Sequence, residues 1–201
     1  MGQPDNSTLI EGVQGFKMYV RNDDSVISGA ISRGKVWEEE GTKVVKENFK
    51  PGQAFVDGGA HFGYYSLLAA TLGARRVVAF EPDKQNYGYL AANVELNGFK
   101  KVIETHPAPL WEDRREMRVS RGDMNTGDTR GHFDALPDAP LDLTSEVLDE
   151  LFEPGSVDFI KLDCQGADIK ALFGARKLLK GTPAMGLMVE KMFWEYGHTE
   201  A

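Results

Sequence analysis

The chain has 201 residues, 41% hydrophobic and 27% charged, a composition that suits one soluble globular domain with a sizeable core. Its formal charge of −8 disfavours nonspecific binding to nucleic acid or to an anionic membrane. The single cysteine, Cys164, excludes an internal disulfide and a multi-cysteine zinc site, and a reducing cytoplasm is the expected location.

No apolar run approaches the ~18 residues that span a bilayer, and the polar start "MGQPDNSTLIEG" has no signal-peptide core. Residues 1–12 read as loose. "GFKMYVRND" (15–23) alternates and ends in turn formers, which predicts a short strand. "GKVWEEEGTKVVKENF" has helical spacing through Val44, Val45 and Phe49, closed by Pro51-Gly52. Residues 1–50 are therefore expected as an N-terminal extension, a strand and a helix, on a core domain of residues 51–201.

The regular part begins at "AFVD" (54–57), a short buried strand. A helix over 64–73 follows, stopped by Gly73, then a strand over 76–81. "DKQNYGYLAANVELNG" (83–98) is an amphipathic helix with Tyr87, Leu90, Ala91 and Val94 inward, and "KVIETH" (101–106) a third strand. Residues 107–156 break the rhythm. "REMRVSRG" reads as an extra strand, "GDMNTGDTRGHFDALPDAP" as a long surface loop, and 144–152 as a helix capped by Thr144 or Ser145. "VDFIKLD" (157–163) is a fourth strand, 167–181 one helix ending at Gly181, and "PAMGLMVE" (183–190) a fifth strand. Apolar strands alternating with helices predict a parallel sheet with helices on both faces.

The turn after the first core strand reads Gly58-Gly59-Ala60-His61-Phe62-Gly63. A dinucleotide turn needs G-x-G-x-x-G so that backbone N–H groups can approach a pyrophosphate. Here Ala60 stands at the second required glycine, and Asp57 precedes the first. A carboxylate there repels a pyrophosphate and suits a ligand with a cationic end, such as the amino group and sulfonium of S-adenosylmethionine. Glu81 closes the next strand, 24 residues after Asp57. At a strand tip it can accept both ribose hydroxyls of an adenosine, or serve only in the helix start Glu81-Pro82-Asp83.

Four blocks in order, "FVDGGAHFGYYSLLAA", "VVAFEPDKQNYGYLAANVELNG", "VDFIKLDCQGADIKAL" and "MVE", resemble the FkbM-type methyltransferases, a branch of the class I S-adenosylmethionine-dependent enzymes. The likeness runs from about Gly15 to Glu190. It implies a Rossmann-like α/β sheet of order 3-2-1-4-5, S-adenosyl-L-methionine as cofactor, and methyl transfer, usually to a hydroxyl of a sugar or small metabolite. It further implies a helix and two antiparallel strands after strand five, which this chain lacks. The edge "AMGLMVEKMF" is then left to a partner copy, as in a homodimer, or to a missing part, or the chain is a compact variant.

By this resemblance Asp57, Gly59 and Ala60 meet the methionine end of the cofactor, within a binding set of Gly58, His61, Gly63, Tyr64, Glu81, Pro82, Ala108 and Asp163. The family commonly has Asn at His61. Of Tyr64 and Tyr65, one faces the cofactor and one packs on the sheet. Trp111 stacks on adenine or packs in the core. Against the family pattern I-K-x-D-x-E-G-x-E, Asp163 and Gly166 match, Gln165 replaces the first glutamate, and Asp168 shortens the second. Lys161 shares a strand face with Asp163 and reads as structural support. Cys164, beside a carboxylate, reads as a small buried apolar residue.

Asp163 and Glu190 are the expected catalytic pair flanking the acceptor pocket, with His61 and His198 as weaker candidates and no metal. "DMNTGDT" reads as a closing loop or a surface loop, and "WEEE" (37–40) as a site element or a solvated helix start. The other classes are a non-catalytic adenosylmethionine- or nucleoside-binding module, an RNA or protein methyltransferase, and a nicotinamide dehydrogenase, which Asp57 and Ala60 disfavour.

Overall fold

The computed structural model describes residues 2–121, 129–132 and 143–189. Five parallel strands form the central sheet: β3 (Ala54–Gly58), β4 (Arg76–Phe80), β5 (Ile103–His106), β9 (Phe159–Leu162) and β10 (Gly186–Val189), in the order β10-β9-β3-β4-β5. Numbered from the first core strand this is 3-2-1-4-5, as expected. The order reverses beside β3, the switch point where open α/β sheets bind ligands beyond their strand ends.

Both faces are covered. Alternate residues point to opposite sides of a pleated strand. Phe55, Val77, Ala79, Ile103 and Phe159 pack on one side with α3 (Tyr64–Thr71) and α4 (Lys84–Leu96). Val56, Val78, Phe80, Ile160 and Leu162 pack on the other with α5 (Leu148–Leu151), α6 (Asp168–Phe173) and α7 (Arg176–Gly181). The Phe55 and Phe159 rings stack at 5.3 Å, an offset contact worth about 1 kcal/mol beyond its buried area.

The N-terminal segment is more ordered than its composition suggests. β1 (Ser7–Val13) pairs antiparallel with β2 (Phe16–Arg21). A register shift between Ile10 and Val13 brings both inward although they lie three residues apart, which hides the strand from a period-two reading. α1 (Ile27–Gly34) also lay outside the sequence expectation. Asp24 caps it, with Oδ1 accepting the Val26 and Ile27 N–H groups at 2.9 and 3.1 Å. α2 (Glu39–Asn48) follows, as expected.

Two asparagines seat the hairpin on α4. Asn93 Oδ1 accepts the Tyr19 N–H at 2.6 Å and its amide donates to Tyr19 O at 3.0 Å; Asn97 does the same for Lys17 at 2.9 and 2.7 Å. These side chains occupy a strand edge that would otherwise be open. The inner face of α4 consequently shifts from the expected one: Tyr89, Ala92 and Asn93 are buried along with Leu90 and Val94, while Tyr87 and Ala91 are half-buried.

Between β5 and α5 lies a three-stranded antiparallel sheet, β6 (Glu116–Arg121), β7 (Thr129–His132) and β8 (Leu143–Thr144), in the order β7-β6-β8. The expected helix over 144–152 shrinks to α5, because Leu143 and Thr144 pair with β6 and the Ser145 hydroxyl serves that pairing instead of a cap. The expected helix over 167–181 is two. Gly174 breaks it: a Cβ there would lie 2.2 Å from the Trp111 carbonyl, and the Asp149 N–H takes the Gly174 carbonyl. The Asp149 carboxylate then caps α7 through the Lys177 and Leu178 N–H groups, both at 2.9 Å.

β10 forms one edge of the sheet, with Leu187 exposed. Pairing of this edge with a second copy finds no support in the structure. Among the described residues no helix is long and apolar enough to cross a membrane.

Candidate functional site

The chain leaves the C-terminal end of β3 through a tight turn with three left-handed residues: Gly59 (φ +71°), His61 (φ +52°) and Gly63 (φ +90°). A Cβ on Gly59 would sit 1.9 Å from the Asp163 carbonyl oxygen, so glycine alone lets the ends of β3 and β9 close together. His61 occupies a conformation that His and Asn tolerate better than most residues, a backbone reason for either at this position.

The turn does not present its N–H groups as a phosphate cradle. Those of Gly59 and Ala60 both donate to the Phe80 carbonyl, at 3.0 and 2.9 Å. That of His61 donates to Glu81 Oε2 at 2.8 Å. A pyrophosphate placed here would find donors already committed to β4, which agrees with the argument against a dinucleotide.

Asp57 and Lys161 lie opposite each other in the β3–β9 register, and both are buried. Lys161 Nζ stands 3.4 Å from Asp57 Oδ1 and 3.8 Å from Asp163 Oδ2. It donates to the carbonyls of Gly59 at 2.9 Å and Gly58 at 3.3 Å. Burial disfavours its charge, but Asp57 and Asp163 beside it outweigh that and raise its pKa above the ordinary lysine value. Asp57 Oδ2 accepts the Ser66 hydroxyl at 2.6 Å. Asp57, expected to face the cationic end of a cofactor, therefore lies beneath the turn, 0% exposed and outside the cavity wall. Lys161 is the structural support that the sequence suggested.

Above the turn is a cavity of about 290 Å³. Gly59, Ala60, His61, Tyr64, Glu81, Pro82, Ala108 and Asp163 line it, as does Tyr65; Gly58 and Gly63 do not. Glu81 is buried at the tip of β4, and its carboxylate accepts the N–H groups of His61 and Asp83, both at 2.8 Å. Burial pushes its pKa up to about 7, against the lowering effect of those two N–H groups. Phe80, Ala108, Pro109 and Leu110 form an apolar wall beside it. An acid beside an apolar platform fits a ribose joined to a flat base. Trp111 is buried outside that wall, in the core.

The N-terminal segment closes the cavity with Met18, Ile27, Trp37 and Glu38. Of these, the sequence offered a signal only in "WEEE". Glu38 has a left-handed backbone (φ +44°, ψ +76°), and its Oε2 accepts the Tyr65 hydroxyl at 2.8 Å. Burial, then the negative Glu38, raises the Tyr65 phenol above its ordinary value, so it stays a donor. Tyr64 shares a 3.0 Å hydrogen bond with the Thr42 hydroxyl, which donates to the Trp37 carbonyl at 2.6 Å. Both tyrosines thus reach the cavity and hold α2.

After β9 the chain turns through Gln165 (φ +50°) and Gly166 (φ +93°) into α6. Asp168 pins this turn, accepting the Cys164 and Gly166 N–H groups at 2.8 and 3.2 Å. The Gln165 amide donates to Asp163 Oδ1 at 2.8 Å. Cys164 is half-buried on the cavity wall, more open than expected, and burial raises its pKa well above the ordinary thiol value. A second, more open cleft of about 500 Å³ adjoins the cavity toward β10; Glu38, Lys161 and Asp163 line both. Glu190, His198 and most of "DMNTGDT" lie outside the described residues. Among the described residues no group of His, Cys, Asp and Glu is arranged to hold a metal.

Comparison with known proteins identifies a family. The family described as Methyltransferase FkbM domain matches residues 57–200. A ribosomal protein L11 methyltransferase of Syntrophomonas wolfei is 36% identical over 82 residues, 41% of this chain and 26% of that protein. The crystal structure of an FkbM methyltransferase from Methylobacillus flagellatus superposes with a TM-score of 0.49 at 22% identity, over 70% of this chain and 33% of that one. An rRNA methylase from Streptococcus thermophilus gives 0.47 at 16% identity, over 76% and 70%. The chain spans about a quarter of the first of these proteins and a third of the second.

Proposed function

The chain belongs to the FkbM methyltransferase family, whose cofactor is S-adenosylmethionine, and from that premise we propose that it transfers a methyl group to a hydroxyl of a sugar or small metabolite. The observation that carries the cofactor part of this reading is the placement of Glu81. It is a buried carboxylate at the tip of β4, held by two backbone N–H groups beside an apolar wall, over a turn whose own donors are already engaged.

In this reading Glu81 accepts the ribose hydroxyls, and Phe80, Ala108 and Leu110 take the adenine. S-adenosylmethionine supplies an activated methyl on a sulfonium, so the chain has mainly to align the acceptor and keep the site dry. Asp163 stands where the cavity meets the second cleft and is assigned the acceptor hydroxyl. Asp163 would hold the acceptor hydroxyl in line with that methyl and take its proton, while the methyl exchanged its bond to sulfur for one to the acceptor oxygen and left a neutral thioether behind. Glu190, the residue after β10, is assigned as the second carboxylate of this pair.

A protein acceptor is the second reading, favoured by the 82-residue likeness to a ribosomal protein L11 methyltransferase. Incubation with methyl-labelled S-adenosylmethionine and three acceptor pools, hydroxylated metabolites, ribosomal protein and ribosomal RNA, separates the readings. Label in the first pool is expected. Label confined to another pool would replace the hydroxyl assignment.

A further inference from the structure

We propose that Glu38, from the N-terminal segment, is the carboxylate that receives the ammonium at the amino-acid end of the cofactor; this rests on the reading above. The sequence pattern gives that part to Asp57. Asp57 cannot take it as folded, because it is fully buried beneath the turn, bonded to Ser66 at 2.6 Å and facing the Lys161 ammonium at 3.4 Å.

The carboxylates lining the cavity, among the described residues, are Glu38, Glu81 and Asp163. Glu81 belongs to the β4–β5 side with Pro82 and Ala108. Glu38 and Asp163 also line the cleft toward β10, at the other end of the strand order. An adenosine at Glu81 therefore directs its amino-acid end toward Glu38 and Asp163. Asp163 already faces Lys161 at 3.8 Å and takes the Gln165 amide at 2.8 Å. Glu38 lies farther from the Lys161 ammonium, whose charge it still feels, and makes no close ion pair among the described residues: its Oε2 takes the neutral Tyr65 hydroxyl, and among the described residues Oε1 accepts no hydrogen bond.

Its placement is also enforced. The backbone at Glu38 is left-handed, a conformation that non-glycine residues hold only where the surroundings impose it. The surroundings are two hydroxyl contacts, Tyr65 to Glu38 and Tyr64 to Thr42, and the absence of a side chain at Gly41, where a Cβ would lie 2.3 Å from the Tyr65 hydroxyl oxygen. Glu38 is exposed, yet these contacts hold its side chain at the cavity wall.

The test compares two thioethers that differ in the amino-acid end. S-adenosylhomocysteine carries it; 5′-methylthioadenosine does not. Calorimetry on the unmodified chain and on Glu38→Gln, which keeps an acceptor for Tyr65, should show S-adenosylhomocysteine binding weakened about ten-fold or more and methylthioadenosine binding unchanged within about two-fold. Unchanged affinity for S-adenosylhomocysteine, or an equal loss for both ligands, overturns the proposal while leaving the cofactor reading intact. Failure of the unmodified chain to bind either ligand overturns both. Should Glu38→Gln fail to fold, Tyr65→Phe, which releases the carboxylate from its anchor, must show the same contrast between the ligands.

Discussion

Lys161 stands 3.4 Å from Asp57 across the β3–β9 register, with neither side chain open to solvent, and the same ammonium holds the carbonyls of Gly58 and Gly59. Asp57 thus acts on the glycine turn through Lys161. Removing one partner leaves a buried charge uncompensated, at a cost of about 3–5 kcal/mol. Lys161→Met should lower the melting temperature by about 10 °C or more, and Asp57→Asn added to it should restore part of that loss. Additive losses in thermal unfolding of the two single variants and the double would contradict the pairing.

Gly59→Ala should be among the most damaging small substitutions in the chain. Its Cβ would meet the Asp163 carbonyl at 1.9 Å, in a left-handed backbone, so the ends of β3 and β9 must separate. Cofactor binding should be lost, and Gly98→Ala, also left-handed but in open space, should leave it intact. Titration of the two variants with S-adenosylhomocysteine makes the comparison.

Glu81 ties cofactor affinity to pH. Its folded pKa of about 7 lies above the ordinary 4.5. The folded state thus binds the extra proton between these values. The associated stability is present below about pH 4.5 and is lost as pH rises toward 7, on the order of 3 kcal/mol in all. Ribose hydroxyls donate better to the ionised form, so affinity for S-adenosylhomocysteine should rise from pH 6 to 8. In Glu81→Gln, whose amide turns an N–H group toward a backbone N–H, affinity should be weaker and the pH slope absent. A slope that persists in Glu81→Gln would place its origin in another group.

The Gln165 amide, at a position where the resemblance in sequence led us to expect glutamate, donates to Asp163 Oδ1. Gln165→Glu would set two carboxylates side by side, and the repulsion between them raises the pKa at which the pair first takes up a proton. The expected outcome is a pH–rate profile whose acidic limb moves to higher pH, with S-adenosylhomocysteine affinity little changed. An unmoved limb would separate Gln165 from the reacting group.

The sheet was legible because β3, β4, β5, β9 and β10 are short apolar runs between helices whose stops, Gly73 and Gly98, have the positive φ that glycine supplies. Where elements depend on distant partners the sequence misled. β1 is bulged, the expected helix over 144–152 loses its start to Thr144's pairing with β6, and Gly174 divides α6 from α7 because of Trp111, some sixty residues earlier. In the site, Glu81 and the turn lie where the pattern puts them. Asp57 does not reach the cavity because Lys161, more than a hundred residues later, turns its charge inward. Glu38 was visible only as one acid among three in "WEEE", since its left-handed backbone and its bond to Tyr65 are tertiary facts.

The measurement that tests the central claim most directly is a calorimetric titration of the unmodified chain with S-adenosylhomocysteine and, separately, with NAD. Saturable one-to-one binding of S-adenosylhomocysteine well below about 1 mM, with no binding of NAD, is the predicted result. No binding of S-adenosylhomocysteine at millimolar concentration, or a preference for NAD, would contradict the account.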